Sequence, residues 1–373
     1  MMKQYGFSWS AALMAVGVGA LAWAGPEAVQ NVQKPALSGG TPVVFGFGGE
    51  GNQEFMLNGK PFQIRGAEMH PQRIPREYWR HRIRTAKAMG LNTIAFYVFW
   101  NDHEQPDGSF DFKTGNRDLE GFLKLCQEEG MWVLFRPGPY ACGEWDLGGL
   151  PHYLLKDPKA KLRTTEDAKF MKAQTRYLEA VARVAEPFLA KNGGPILMTQ
   201  LENEYGSYQR KDRKYMEWLK AFWSRKGFGP FYTSDGAGEH FLKGVVLPGV
   251  AVGLDPGLND GHWAVANKCN PGVPVFSSET YPGWLRHWGE GNWAPTPGVV
   301  NHVRWFMDKG RSFSLFVFHG GTNFGFSAGA NNGGPGKYQP DLTSYDYGSP
   351  VDEQGRIIKN DHSKQVSMWK DNV

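Results

Sequence analysis

Cysteine is scarce. Cys126, Cys142 and Cys269 are the only three in 373 residues. An odd count of three permits one internal disulfide at most, and no CxxC pair or Cys/His zinc spacing accompanies them. A disulfide framework and a structural zinc site are therefore excluded as the basis of the fold. Basic runs are also missing: the net charge is only +4, so nothing points to nucleic acid. No Gly-rich phosphate loop follows the first strand-like segment. No histidine pair has ligand spacing and no Asp-x-Asp cluster occurs, which speaks against metal-dependent chemistry. Past the N-terminus, no segment reads as a membrane span, and no repeat longer than a βα unit is visible.

The N-terminus has the three parts of a secretory signal. Lys3 supplies the positive charge, Ala11 to Trp23 is mostly apolar and small, and Ala22-Trp23-Ala24 fits a cleavage site. The alternative is a single-span anchor, for which the apolar run is short. The expectation is export to the periplasm or the exterior, with cleavage after Ala24 and no membrane insertion thereafter. Residues 25–53, rich in Gly, Pro and Ala, read as a linker or loose arm. Residues 54–373 read as one catalytic domain with a short polar tail.

Aromatic residues make up 14% of the chain, including 14 Trp. Such a surplus suits stacking on the flat apolar faces of sugar rings, although cores use aromatics too. Residues 55–62 predict a hairpin turning at Asn58-Gly59. Strands are then predicted at 62–67, 91–99, 131–135, 195–201, 231–234, 250–254, 274–278 and 312–318. Helices are predicted at 76–89, 118–129, 166–191, 214–225 and 299–309, with a weak one before the sixth strand. The Gly-rich stretch 329–336 reads as a surface loop. Eight short apolar strands alternating with helices predict an α/β fold, a closed (β/α)8 TIM barrel. A doubly wound open sheet is the alternative.

In such a barrel the active site lies where the strands end. The polar residues expected there include Glu68, His70, Arg73, Tyr97, Arg136, Glu144, Gln200, Glu202, Asn203, Glu204, Asp235, Glu279, Tyr281, His319 and Asn323. The central stretch is Gly193 to Tyr205, a Gly-Gly-Pro turn and a short apolar strand that delivers Gln200, Glu202, Asn203 and Glu204. If the strand continues, Glu202 and Glu204 share one face and Asn203 takes the other. Glycoside hydrolysis needs two carboxyl groups across the scissile bond. Glu204 and Glu279, after strands four and seven, face each other across an eight-strand ring. Several residues also admit a structural reading: Glu202 as a brace for the strand end, Cys142 as packing beside the pocket, His319 as a buried hydrogen-bonded histidine, Glu68 and Asp235 as supports for arginines.

These residues fall in ordered motifs: 97-YVFWN-101 with His103-Glu104, 136-RPGPY-140 with Glu144-Trp145, and 148-GGLP-151. GGPILMTQLENEY at 193–205, 278-SETY-281 with Gly283-Trp284, 319-HGGTNFG-325 and 343-TSYDY-347 complete the set. In this set the chain resembles glycoside hydrolase family 35, the retaining β-galactosidases, over about residues 54–357. The resemblance implies an exo-acting hydrolase that removes terminal non-reducing β-galactose from oligosaccharides or glycans, with no metal or organic cofactor. Glu204 would be the proton donor and later the base, and Glu279 the nucleophile forming a covalent galactosyl-enzyme, with their carboxyls about 5–5.5 Å apart. Tyr97, Glu144, Asn203 and Tyr347 would bind the galactose. Tyr281 would lie beside the nucleophile, and Cys142 and Gly143 would line the wall. Two alternatives remain at this point: a relative with another sugar choice, such as an exo-β-glucosaminidase, and a catalytically silent sugar-binding barrel. Two departures from the family pattern stand out. Position 280 is Thr where an aromatic is common, and position 143 is Gly where Ala is usual. The family's β-sandwich domains are not expected in this sequence, which makes it a barrel-only or shortened member.

Overall fold

The computed structural model describes residues 42–291, 296, 298–334 and 336–358. The expected signal segment, 1–24, lies outside them. The stretch read as an arm is partly a strand: β1 (Phe45–Gly48) pairs with β2 (Glu54–Leu57), which turns into β3 (Lys60–Pro61). Asn58 and Gly59 both take left-handed φ, 50° and 76°, as a two-residue turn of this hand requires.

The barrel follows. Its strands are β4 (Arg65–Met69), β5 (Thr93–Tyr97), β6 (Trp132–Arg136), β7 (Ile196–Gln200), β8 (Phe231–Gly236), β9 (Ala251–Asp255), β10 (Val275–Thr280) and β11 (Phe313–His319). All pair in parallel, and β11 closes on β4 through Phe313↔Arg65 and Leu315↔Ala67. The ring is closed, so the doubly wound alternative falls away. Strands this apolar are buried on both faces: β5, β6, β7, β10 and β11 contain no exposed residue.

Helices α1 (Trp79–Ala88), α2 (Trp100–His103), α3 (Leu119–Glu128), α4 (Ala168–Ala185), α5 (Arg213–Arg225), α6 (Glu239–Leu242), α7 (Asp260–Cys269) and α8 (Val299–Asp308) accompany the strands. Asp118 caps α3 as expected, accepting from Gly121 N–H. The helical periodicity over 166–191 breaks into α4 and two 3-10 turns, since Pro187 cannot donate in an α-helix. Helix α7 has no counterpart in the sequence reading: its buried stripe is only Trp263 and Ala266, too thin a signal. The Gly-rich stretch is also more than a loop, because β12 (Ala330–Asn332) pairs antiparallel with β13 (Tyr338–Pro340).

The Gly-Gly-Pro turn before β7 has a steric cause. Gly193 sits at φ 89°, and a Cβ on Gly194 would lie 2.2 Å from the Phe188 carbonyl. Only two glycines let the chain reverse there and enter the barrel wall.

Candidate active site

Strand β10 runs through Glu279, which is 4% exposed at the ring's C-terminal end. Arg136, the last residue of β6, reaches it with Nη2 and reaches Glu68 of β4 with Nη1. The same guanidinium bonds Gln200 Oε1 at 2.6 Å and Asn203 Oδ1 at 3.0 Å. One buried cation thus ties four strands together. Burial pushes the Glu279 carboxyl up to about 7; the charges of Glu68 and Glu204 act the same way, and Arg136 opposes them. Burial likewise raises Glu68 to about 7, with Arg136 opposing.

Strand β7 ends at Gln200, and the chain then leaves β geometry. Glu202 (φ 62°) and Glu204 (φ 43°) are both left-handed. The alternation expected for a continuing strand is therefore broken, and Glu202 and Glu204 separate. Glu202 turns outward to a buried arginine, Arg163, whose Nη2 bonds Glu202 Oε2 at 2.6 Å and the Asn203 carbonyl at 2.7 Å. Tyr215 OH donates to Glu202 as well, at 3.1 Å. Glu202 is thus a brace. It holds a strained turn that presents Asn203 and Glu204 to the ring interior.

Asn203 is oriented by its oxygen. Oδ1 accepts from Gln200 Nε2 (2.8 Å), Arg136 Nη2 and Tyr97 OH (3.1 Å). Its Nδ2 is left facing Glu204 Oε2 at 3.5 Å. Tyr97 OH also lies 3.3 Å from Glu279 Oε1. Tyr281 OH lies 3.1 Å from Glu279 Oε2 and bonds Asp255 as well.

The loop after β6 forms one wall. Cys142, Gly143 and Glu144 all have left-handed φ, and the Gly143 carbonyl accepts from Arg73 at 2.5 Å. A Cβ at 143 would lie 3.3 Å from the Tyr97 ring, so an alanine there would press on that tyrosine. Glu144 takes a hydrogen bond from Tyr345 OH, and burial raises its carboxyl to about 7. Tyr347 completes an aromatic wall with Phe316, Tyr281 and Trp284, whose ring centroids lie 5.6, 6.3 and 5.9 Å from its own. Trp284 is 52% exposed at its edge. Beside Cys142 and Glu144 opens a cavity of about 380 Å³, lined also by Trp145, Arg163 and Asp341.

The nine residues singled out from sequence thus gather at one end of the ring. Several lesser readings are settled too. All three cysteines are free. His319 is a structural histidine, 3.3 Å from the Val351 carbonyl and 3.4 Å from Arg82 Nε. Glu68 does brace an arginine. Asp235 does not: it accepts the Gly206 N–H at 2.6 Å, because the turn after Glu204 passes directly over β8. Three contributors were missed. Asp255 ends β9 as the first polar residue after an apolar run, a signal that was present. Tyr345 lay in a quoted motif without a role. Arg163 sits in a long loop with no local pattern to mark it. Among the described residues no cluster of His, Cys, Asp and Glu is arranged to hold a metal ion.

Comparison with known proteins agrees with this geometry. The profile "Glycosyl hydrolases family 35" matches residues 54–368. A β-galactosidase of Xanthomonas manihotis is 41% identical over 316 residues, 83% of this chain and 52% of its own. Beta-galactosidase 17 of Arabidopsis thaliana is 42% identical over 82% of this chain and 45% of its own. The chain thus spans about half the length of these relatives. Among solved structures, an exo-β-1,4-mannosidase from Opitutaceae bacterium strain TAV5 superposes with a TM-score of 0.55 at 14% identity. That match covers 84% of this chain and 60% of the other, and it speaks for the fold alone. Family profile, relatives and barrel agree: this chain belongs to glycosyl hydrolases family 35.

Proposed function

We propose that the protein is a retaining exo-β-galactosidase acting on terminal β-galactose of oligosaccharides or glycans. One observation carries the reading. Two carboxyl groups, Glu204 from the end of β7 and Glu279 from β10, meet around one amide and one phenol: Asn203 Nδ2 lies 3.5 Å from Glu204 Oε2, and Tyr97 OH, which donates to Asn203 Oδ1, lies 3.3 Å from Glu279 Oε1. They lie in a pocket walled by amide, phenol and aromatic groups. Family membership and the printed activity of the similar relatives support it.

In this reading the Glu279 carboxylate attacks C1 of the sugar. As that bond forms, the glycosidic C–O bond breaks and Glu204 gives its proton to the departing oxygen. Water then adds to C1, its proton passes to Glu204, and the bond to Glu279 breaks. Arg136 favours the ionised form of the nucleophile. Asn203, fixed through its oxygen, offers its amide N–H to the sugar 2-OH. Glu144 and Tyr97 serve further hydroxyls, Tyr347 covers a ring face, and Trp284 stands at the mouth for the aglycone.

The test is hydrolysis of aryl β-galactoside, β-glucoside and β-glucosaminide by the purified chain and by its Glu204→Gln and Glu279→Gln variants. Galactoside turnover that collapses in both variants is expected. Preferential glucosaminide turnover would move the chain to another sugar choice. A folded protein that turns over none of the three would be a silent barrel. We propose export as well, on the N-terminal pattern around Lys3 and Ala11–Trp23. N-terminal sequencing of the secreted protein should begin at Gly25.

A further inference from the structure

At the end of β4 a histidine decides the charge of a neighbouring carboxyl. Glu68, in β4, and His70, just past it, stand two residues apart, and both are fully buried. His70 Nε2 lies 3.1 Å from Glu68 Oε1, and Arg73 Nη1 lies 2.6 Å from His70 Nδ1. Arg73 is itself held on every side. Its Nε donates to Asn323 Oδ1 at 2.7 Å and its Nη2 to the Gly143 carbonyl at 2.5 Å. Its guanidinium carbon lies 3.7 Å from the centroid of the Tyr345 ring.

Proton counting then fixes the imidazole. A guanidinium only donates, so His70 Nδ1 accepts, and the ring carries its one proton on Nε2. A doubly protonated ring would set Nδ1–H against the Arg73 N–H. Burial, with the charges of Arg73 and Arg136, also holds His70 well below its usual range. Nε2–H therefore donates to Glu68 Oε1, while Arg136 Nη1 donates to Oε2. Each oxygen of Glu68 meets a donor, and a carboxylate is the form that accepts both. Burial raises this carboxyl to about 7, and Arg136 opposes it. The N–H from His70 opposes it further, since a hydrogen bond to the charged form favours that form.

We propose that Glu68 is a positioning residue for the reaction: kept an anion by the N–H of His70, which Arg73 fixes, it draws one arm of the Arg136 guanidinium to itself and leaves the other for the nucleophile Glu279. The proposal rests on the glycosidase reading and deepens it. One cation is shared between two carboxylates, so Glu279 is oriented by Arg136 but only partly neutralised. Attacking power follows basicity, and a half-paired carboxylate keeps more of both than a fully paired one.

The groups around the nucleophile set the direction of the effect. Arg136 is the cation bonded to Glu279. The carboxyls facing it are Glu68 from β4, Glu204 from the turn after β7, and Asp255 from β9. Tyr97 and Tyr281 touch it, with Tyr232 and Tyr347 behind them. Glu68 in turn is faced by Arg136, His70, Arg73, Tyr97 and Tyr232. Neutralising Glu68 removes one anion and leaves Arg136 in place, so Glu279 ionises at lower pH.

The experiment is the pH profile of kcat/KM for wild type, Glu68→Gln and Glu68→Ala. 2,4-Dinitrophenyl β-galactoside needs no proton on its leaving group, so its acid limb follows ionisation of Glu279. In both variants that limb should move to lower pH by about one unit. The alkaline limb for phenyl β-galactoside, which follows the proton on Glu204, should stay in place. An acid limb that stays or rises, or an equal loss at every pH, overturns the proposal and leaves the glycosidase reading intact. If wild type hydrolyses neither galactoside, that reading fails and the proposal with it. The wild-type protein offers a second measurement. His103 and His319, the other two buried histidines among the described residues, turn Nδ1 to the carbonyls of Asp111 and Val351, which puts their proton there. Nitrogen-15 NMR of histidine-labelled protein should show three histidines that stay neutral, two protonated on Nδ1 and one on Nε2. If neither variant folds, this spectrum decides: the Nε2–H signal upholds the proposal, and its absence overturns it.

Discussion

The two ends of the barrel are built from the same strands and differ in what they bury. At the C-terminal end, Glu68, Arg136, Arg163, Glu202, Asp235 and Glu279 are all nearly inaccessible. At the N-terminal end the sheet β1–β3 covers the opening with Phe55, which packs edge-on against Phe276 at 5.6 Å. Ion pairs there stay wet: Asp260, with a side chain 64% exposed, meets Lys309 at 2.9 Å and Arg311 at 2.7 Å. The wet end also has a cavity of about 850 Å³ between the small sheet and residues 309–312, against about 380 Å³ for the one beside Cys142 and Glu144. What marks the site is buried, interlocked charge.

Backbone strain divides the same way. Cys142, Glu144, Leu147, Arg163, Glu202, Glu204, Lys211 and Tyr347 hold left-handed φ in the loops that follow the strands, although each has a Cβ. At the other end the left-handed non-glycines are Asn52 and Asn58, a residue type that tolerates it. Among the described residues, strain without a local excuse falls at the end where side chains must be aimed.

The widest separation between the two ends should appear in turnover. Glu279→Gln should reduce galactoside kcat/KM by about 10⁴-fold or more, measured by initial rates; a loss under ten-fold would break the assignment of the nucleophile. Next is the brace. Arg163→Met strands the Glu202 carboxylate and should cost about 3–5 kcal/mol in denaturant unfolding. A cost as small as that of a surface ion pair would erase the contrast between the ends. Third is a pH effect. Burial raises Asp235 from 3.8 to about 8, so its contribution to folding is full below pH 3.8 and is lost as pH rises through about 8. Asp235→Asn keeps an acceptor for Gly206 N–H and should remove that loss of stability between pH 3.8 and about 8. Thermal unfolding at a series of pH values would reveal it, and parallel wild-type and variant curves would refute it. The smallest effect belongs to Asp260→Asn: galactoside turnover and Tm should match wild type.

Much of this contrast was legible in the sequence. The barrel was readable because strands buried on both faces are written as unbroken apolar runs, and each run ends on a polar residue. That rule reached Glu204, Glu279, Asn203 and Tyr97. Applied to the sixth strand it also reaches Asp255, one residue past the apolar run. What stayed hidden depends on turns. Glu202 and Glu204 look equivalent at a spacing of two, and only the left-handed backbone sends one to Arg163 and the other into the ring. Arg163 itself is 39 residues away from Glu202 along the chain. No periodicity connects them.

Closure of the ring carries a consequence for synthesis. The edges that meet, β4 and β11, are separated by most of the chain: Ile64 N–H, just before β4, is bonded by the Ser312 hydroxyl, 248 residues later. At about 5–20 residues per second on a ribosome, the first strand waits about 10–50 s for its last neighbour. Through that interval its edge has no partner and the nascent wall is open to other chains. Arg65, at the start of β4, is a charge on that waiting edge, of the kind that discourages mispairing between chains.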